Sequence, residues 1–211
     1  MELSTKDYIE FIKLATLKID ENGDYITSLD AITGDGDHYT NMHMGFSRLV
    51  EIEDELSSLS LADCFRKIGM TLMSSIGGSS GALYGSAYIA ASKLLVDKDS
   101  ISEILLFEIL QAMLEAIKKR GGAEEGMKTM IDSLSPSVDA YGKGLSTGLS
   151  GVPLYDSVKQ AAIDGALLTE DMEAIKGRAY YQSNKGVGHL DPGAMTMAYQ
   201  IETLMDYIST K

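Results

Sequence analysis

The chain has 211 residues, 45% of them apolar, which is enough for one domain with a sizeable core. With 31 acidic and 18 basic residues its formal net charge is −13, which argues against nucleic acid or an anionic membrane as the main partner. The single cysteine, Cys64, excludes an intramolecular disulfide and a cysteine-based zinc site. We treat residues 1–211 as a single domain.

The N-terminal segment MELSTKDYIEFIKLATLKID is predicted to form a helix. Its apolar residues Tyr8, Ile12, Ala15 and Ile19 recur on one face after a capping-box-like start, STKD. Acidic residues stand where a signal peptide needs positive charge, and no stretch approaches the ~20 apolar residues of a membrane span. We therefore expect a cytoplasmic protein.

The segment 23–32, GDYITSLDAI, fits either a short strand or a helix that leads into a loop. The loop that follows carries Asp30, Asp35 and Asp37, and carboxylate oxygens are the ligands that Mg²⁺ or Ca²⁺ prefers. Gly34 and Gly36 let the backbone turn so that the flanking aspartates point one way. The alternative is an Asx turn with Asp37 as helix cap, but a cap needs only one aspartate, so three favour a metal.

Seven further segments show helical periodicity, and no run of alternating β-branched residues indicates a strand. Ser102 caps one of these helices and Gly121 ends it, Pro136 predicts a kink in another, and Pro153 suits the first turn of a third. The sequence therefore predicts an all-α fold, an antiparallel bundle of about eight helices. The segments are 42–56, 61–77, 81–97, 100–122, 125–145, 153–177 and 192–210.

Two more loops are rich in glycine. SSIGGSSGALYGS offers backbone N–H groups and hydroxyls to a phosphate at a helix N-terminus, although close helix packing through small residues explains it equally well. In GRAYYQSNKGVGHLDPGAMT, Arg178 and Lys185 are potential phosphate clamps. His189 there, like His38 in the acidic loop, is either an acid–base group or a structural histidine. Alternate loops of such a bundle share one end, so these loops could together hold a magnesium nucleotide.

Four segments together resemble a known family. LDAITGDGDHYTNM, MTLMSSIGGSSGALYGSAY, KTMIDSLSPSVDAY and KGRAYYQSNKGVGHLDPGA are similar to the nucleotide-binding L subunit (DhaL type) of dihydroxyacetone kinases, in order and over nearly the full chain. The resemblance implies a phosphotransferase: an eight-helix antiparallel barrel with ADP or ATP and two Mg²⁺ at one rim. It also implies a separate K subunit that holds dihydroxyacetone covalently on its own histidine.

The resemblance assigns roles to residues of this chain. Asp30, Asp35 and Asp37 would be the magnesium ligands, and together with Arg178 they would be the catalytic residues. Arg178 would reach the phosphates. The other residues implied to contact nucleotide are His38, Asn41, Gly78, Ser79, Ser80, Gly121, Thr129, Met130, Asp191, Pro192 and Gly193.

The chain departs from the family pattern at three places. Tyr39 stands where the family usually has glycine, Met127 replaces a common acidic residue, and the segment 182–187 lacks the usual acidic–basic pair. These changes favour an altered partner surface or another small ketose as substrate.

Two recharging modes are open. Either free ATP exchanges for ADP, or ADP stays bound as a coenzyme and is rephosphorylated by a phosphotransferase-system protein (DhaM type). A chain without a fused K domain favours the second mode. The alternatives from other classes are a nucleotide-sensing regulatory subunit without turnover and a helical scaffold with a calcium-stabilised loop.

Overall fold

The computed structural model describes all 211 residues, Met1–Lys211, and its regular secondary structure is almost entirely helical, which confirms the all-α prediction. None of these helices combines the length and apolar character that a membrane span requires. The helices are α1 (Thr5–Glu21), α2 (Gly23–Thr33), α3 (His38–Glu51), α4 (Glu53–Ser57), α5 (Leu61–Ser75), α6 (Gly78–Ser92), α7 (Glu103–Gly121), α8 (Ile131–Ser146), α9 (Val152–Leu168) and α10 (Pro192–Ile208). The barrel expected from the family resemblance stays a prediction.

The chain forms two compact units. The first comprises residues 1–17, 41–122 and 211, and in it α6 packs between α5 and α7. Two glycines bring α5 and α6 together: a Cβ added at Gly69 would stand 2.9 Å from the Gly85 carbonyl oxygen. Small residues in this region therefore serve helix packing. The strands β1 (Glu2–Leu3) and β2 (Ile101–Ser102) pair antiparallel in the same unit and were not predicted.

The second unit comprises residues 18–40 and 123–210. Its helices α8, α9 and α10 pack on one another, and α10 also contacts α2. A Cβ at Gly165 of α9 would stand 2.1 Å from the carbonyl oxygen of Asp132 in α8. The backbones of the two helices are therefore in direct contact at this glycine. This packing fixes the loops that join the helices, and those loops carry most of the predicted site.

Several predicted boundaries were wrong. The predicted helix 42–56 is divided between α3 and α4, whereas the segment 23–32 forms α2, the helical one of its two open alternatives. The helix predicted from residue 125 begins at Ile131, because Gly126 and Lys128 have positive φ angles of 86° and 60°. The helix predicted to residue 177 ends at Leu168, and a short 3-10 turn, Thr169–Asp171, follows it.

Candidate functional site

Three carboxylates meet where α2 turns into α3. Asp30 is buried in the last turn of α2, while Asp35 and Asp37 are exposed in the turn that follows. One oxygen from each carboxylate lies within 4.8 Å of the others. Gly34 lies so close to Asp30 that an added Cβ would stand 2.0 Å from Asp30 Oδ1, and Gly36 has a φ of 77°. Carboxylate oxygens grouped in this way are the hard donors that Mg²⁺ prefers.

His38 orients the buried member of this cluster. As the first residue of α3, it donates its backbone N–H to Asp30 Oδ2 at 2.9 Å. Its ring Nε2 lies 3.0 Å from Thr196 Oγ1 of α10. Burial lowers the pKa of the His38 imidazole, and the charges of Asp30 and Asp37 only partly oppose that shift. His38 therefore ties the start of α3 both to Asp30, through its backbone N–H, and to α10, through its ring.

Arg178 places a cation beside the carboxylates. Its Nη2 lies 2.7 Å from Asp35 Oδ2, and both side chains are exposed. Exposed ion pairs of this kind contribute little to stability, so the guanidinium can exchange Asp35 for a phosphate at small cost. The planar fork of arginine matches phosphate oxygens in geometry as well as charge. Arg178, a predicted phosphate-binding residue, thus lies directly beside the carboxylate cluster.

The turn Asp191–Gly193 opens α10 close to the same carboxylates. Asp191 caps the helix, accepting the N–H of Ala194 at 2.7 Å on its Oδ2. Burial raises the pKa of Asp191 to about 7, with the Ala194 N–H and Lys128 opposing the shift and the charges of Asp132 and Asp30 adding to it.

Thr129 and Met130 stand at the start of α8, near this turn. A Cβ added at Gly193 would stand 3.7 Å from the backbone nitrogen of Met130. The backbone N–H of Thr129 donates to Asp132 Oδ2 at 2.6 Å. The two predicted nucleoside-border residues and the Asp191–Gly193 turn therefore lie together.

Lys128 holds this neighbourhood in place, and its role was not predicted from the sequence. It is 1% exposed, and its Nζ donates to the carbonyl oxygens of Thr169 and, at 2.5 Å, His189. Burial lowers the pKa of its ammonium group, opposed first by the charge of Asp191. The signal available in the sequence was a lysine between Gly126 and Thr129, but residues 125–130 were predicted to be helical, so the turn that contains Lys128 was missed.

The loop after α9 is tied by its own contacts. The Lys185 ammonium pairs with the Glu173 carboxylate at 2.9 Å, and the Lys185 carbonyl accepts the N–H of Ala174. This pair supplies an acidic–basic contact in a loop that lacks the usual one. Tyr181 of the same loop is 86% exposed.

The remaining predicted residues lie in the other unit. Asn41 packs on the turn before α6, since a Cβ at Gly77 would stand 2.4 Å from Asn41 Oδ1. Gly78 begins α6 with a φ of 64°, and Ser79 and Ser80 follow it at the helix N-terminus. Gly121 ends α7. Their contacts with a nucleotide stay a prediction.

Comparison with known proteins gives a consistent result. Residues 32–206 match the family described as "DAK2 domain". The chain is 39% identical over 188 residues to the "PEP-dependent dihydroxyacetone kinase 1, ADP-binding subunit DhaL" of Listeria innocua, covering 89% of each chain. It is 38% identical over 201 residues to the "PTS-dependent dihydroxyacetone kinase, ADP-binding subunit DhaL" of Lactococcus lactis, covering 95% of this chain and 96% of that one.

Two longer proteins are also similar. The dihydroxyacetone kinase of C. freundii, solved in complex with AMP-PNP and Mg²⁺, superposes with a TM-score of 0.72 at 27% identity. That match covers 94% of this chain and 33% of the C. freundii chain, so the present chain spans about a third of it. The L-erythrulose 1-kinase of Mycolicibacterium smegmatis is 31% identical over 183 residues, which is 86% of this chain and 32% of that protein.

Proposed function

The chain belongs to the DAK2 domain family, and from this premise we propose that it is the ADP-binding subunit of a dihydroxyacetone kinase. In this role it transfers a phosphoryl group from a Mg²⁺-bound nucleotide to dihydroxyacetone held on a separate K subunit. The observation that carries the proposal is the cluster of Asp30, Asp35 and Asp37 with Arg178 beside it. The names of the Listeria and Lactococcus relatives support it at 39% and 38% identity.

The geometry suits phosphoryl transfer, which needs positioning and charge neutralisation more than covalent chemistry. The three carboxylates would hold Mg²⁺, two ions in the family pattern, and bound Mg²⁺ would offset charge on the phosphate oxygens. Arg178 would leave Asp35 for the phosphate chain. Asp191, at the start of α10, would face the nucleoside with a carboxyl whose pKa burial raises to about 7.

We further propose that ADP stays bound and is recharged by a phosphotransferase-system phosphodonor of the DhaM type. The relatives named PEP-dependent and PTS-dependent support this mode. ADP released from the purified chain on denaturation is the expected result. Chain that is purified empty and exchanges nucleotide rapidly would contradict the coenzyme mode.

A second candidate is a kinase subunit for another small ketose. The similarity to an L-erythrulose 1-kinase favours it, as do the departures at Tyr39, Met127 and 182–187. Mixing the chain with a K subunit, either ketose, and either ATP or a phosphodonor chain separates the candidates by which ketose is phosphorylated. Nucleotide binding without turnover on any ketose would instead point to a regulatory subunit.

Calorimetric titration with ADP tests the site itself. With Mg²⁺ present we expect tight binding by the unaltered chain, and Asp35→Asn should lose most of it because one metal ligand is gone. Asp54→Asn is the matched control, since Asp54 is an exposed aspartate of α4. Equal ADP affinity with and without Mg²⁺ would contradict the proposed metal site.

Several expectations from the sequence stay predictions beside this proposal. They are the phosphate contacts of Asn41, Gly78, Ser79 and Ser80, the nucleoside contact of Gly121, the action of residues 1–211 as a single nucleotide-binding domain, and the cytoplasmic location.

A further inference from the structure

Tyr39 packs its ring directly on the backbone at the start of α2. A Cβ built at Gly23 would stand 2.7 Å from Tyr39 Cζ and 2.8 Å from Cε2. Carbon atoms in contact normally stay about 3.5–4.0 Å apart. Glycine at position 23 is therefore what leaves room for the ring. The Tyr39 hydroxyl lies 3.4 Å from Asp20 Oδ1, in the last turn of α1.

This contact lies on the same face of α2 as Asp30. Gly23 and Asp30 are seven residues apart, which is about two helical turns. At the level of Asp30, the His38 N–H donates to the Asp30 carboxylate. One residue further along α3, the ring of Tyr39 reaches back to Gly23. The first turn of α3 is thus attached to α2 at two levels.

We propose that Tyr39 is a positioning residue of the magnesium-nucleotide site. By packing on Gly23 it fixes the start of α3 against α2, and so holds Asp35 and Asp37 facing Asp30. The inference rests on the proposed function, because it concerns how well the carboxylates are arranged to bind Mg²⁺ and nucleotide.

The turn itself is flexible enough for such an anchor to matter. Asp35 and Asp37 are exposed and alternate with Gly34 and Gly36, so the turn has little stiffness of its own. Like charges this close repel one another, which favours a spread-out turn. Stiffness must therefore come from the two flanking helices. Residues that orient metal ligands commonly change metal affinity by about 10–100-fold.

The first test removes the ring. Tyr39→Ala should weaken ADP binding at saturating Mg²⁺ by roughly tenfold, while the much weaker binding in the presence of EDTA stays unchanged. Tyr39→Phe keeps the packing and loses only a long hydroxyl contact, so we expect an affinity within about threefold of the unaltered chain. Tyr25→Ala is the matched control, because Tyr25 is an exposed tyrosine of α2, two residues from Gly23.

The second test displaces the ring without altering Tyr39. Gly23→Ala places a methyl group where the ring lies, so it should weaken Mg²⁺-dependent ADP binding as Tyr39→Ala does. In the Tyr39→Ala background the methyl group has free space, and Gly23→Ala should cause no further loss. A purely structural role for either residue would lower the melting temperature of the free chain but would leave the ratio of ADP affinities with and without Mg²⁺ unchanged.

The outcomes separate the inference from the proposed function. If Tyr39→Ala binds Mg²⁺-ADP as tightly as the unaltered chain, or if the two losses add in the double variant, the inference is overturned and the proposed function stands. If Tyr39→Ala does not fold, Gly23→Ala decides, and an affinity equal to that of Tyr25→Ala overturns the inference. If the unaltered chain shows no Mg²⁺-dependent ADP binding, the proposed function fails and the inference fails with it.

Discussion

At the scale of single residues, Asp191 gives the chain a dependence on pH. The pKa of its carboxyl is about 7 in the folded chain against an ordinary value of 3.8, mainly because of burial, while Lys128, Asp132 and Asp30 are the charged groups around it. Between these two values the folded chain holds more protons on this group than the unfolded chain. The contribution of Asp191 to the free energy of unfolding therefore falls as pH rises from about 4 to 7.

Asp191→Asn should remove this dependence. Asparagine also caps helices well, so the cap on α10 is kept. In chemical denaturation without Mg²⁺ or nucleotide, the variant should gain stability relative to the unaltered chain as pH rises through that window. Asp54→Asn, which changes an exposed carboxyl, should show no such trend. A constant difference between Asp191→Asn and the unaltered chain would contradict the elevated pKa.

The carboxylate cluster could be predicted from the sequence, because the residue type alone indicates metal-binding chemistry. Asp30, Asp35 and Asp37 come together because they lie within eight consecutive residues, two of which are glycines that allow a tight turn. The contacts of Lys128 and Tyr39 could not be predicted. Each depends on a partner distant in the chain, a carbonyl at Thr169 or a glycine at position 23, whose approach is set by helix packing.

At the scale of elements, Lys128 joins the segment before α8 to Thr169, which follows α9, and to His189, which precedes α10. Replacing Lys128 by methionine keeps the length of the side chain but leaves the buried carbonyl oxygen of Thr169 and the partly buried one of His189 without their donor. An unsatisfied buried polar group costs about 1–3 kcal/mol, so Lys128→Met should lower the free energy of unfolding by at least that amount.

Lys185→Met is the control for this prediction. Lys185 forms an exposed pair with Glu173, and such pairs contribute about 0–1 kcal/mol. Urea denaturation of both variants makes the comparison, and hydrogen exchange of residues 169–190 should speed up only in Lys128→Met. Equal stability of the two variants would show that the Lys128 contacts carry no net energy.

Gly165 sets how closely α8 and α9 pack. A methyl group there would meet the Asp132 carbonyl oxygen at 2.1 Å, and a helix backbone cannot yield as a side chain can. Gly165→Ala should therefore destabilise by about 1–3 kcal/mol, although alanine is the better helix former by about 1 kcal/mol. The exposed neighbour, Asp164→Ala, should stay within about 0.5 kcal/mol in urea denaturation. A more stable Gly165→Ala would show that the helices can separate freely.

Periodicity predicted the long amphipathic helices but not where they end. The segment 125–130 has the apolar spacing of a helix, yet positive φ angles at Gly126 and Lys128 break it, and Asp132 accepts the N–H groups of Gly126 and Thr129. Side-chain caps of this kind compete with helical hydrogen bonds. They leave a weaker trace in the sequence than the spacing of apolar residues does.

At the scale of the whole molecule, the net charge of −13 makes the melting temperature sensitive to salt. Two effects can be separated, general charge screening and specific binding of Mg²⁺. NaCl should raise the melting temperature by screening repulsion between carboxylates, whichever residues carry them. MgCl₂ at equal ionic strength should raise it further, because bound Mg²⁺ stabilises the folded chain in proportion to RT ln(1 + [Mg²⁺]/Kd), about 2.7 kcal/mol at 100 times Kd. Adding ADP should increase only the Mg²⁺-dependent part.

Asp35→Asn separates these effects in thermal melts. The variant should keep the response to NaCl, since it removes one negative charge of many, and lose most of the extra response to MgCl₂ and to ADP. Asp54→Asn removes the same charge from an exposed site on α4 and should behave as the unaltered chain does. If MgCl₂ stabilises all three chains equally, the ion acts through general screening, and the carboxylate cluster of Asp30, Asp35 and Asp37 is not its binding site.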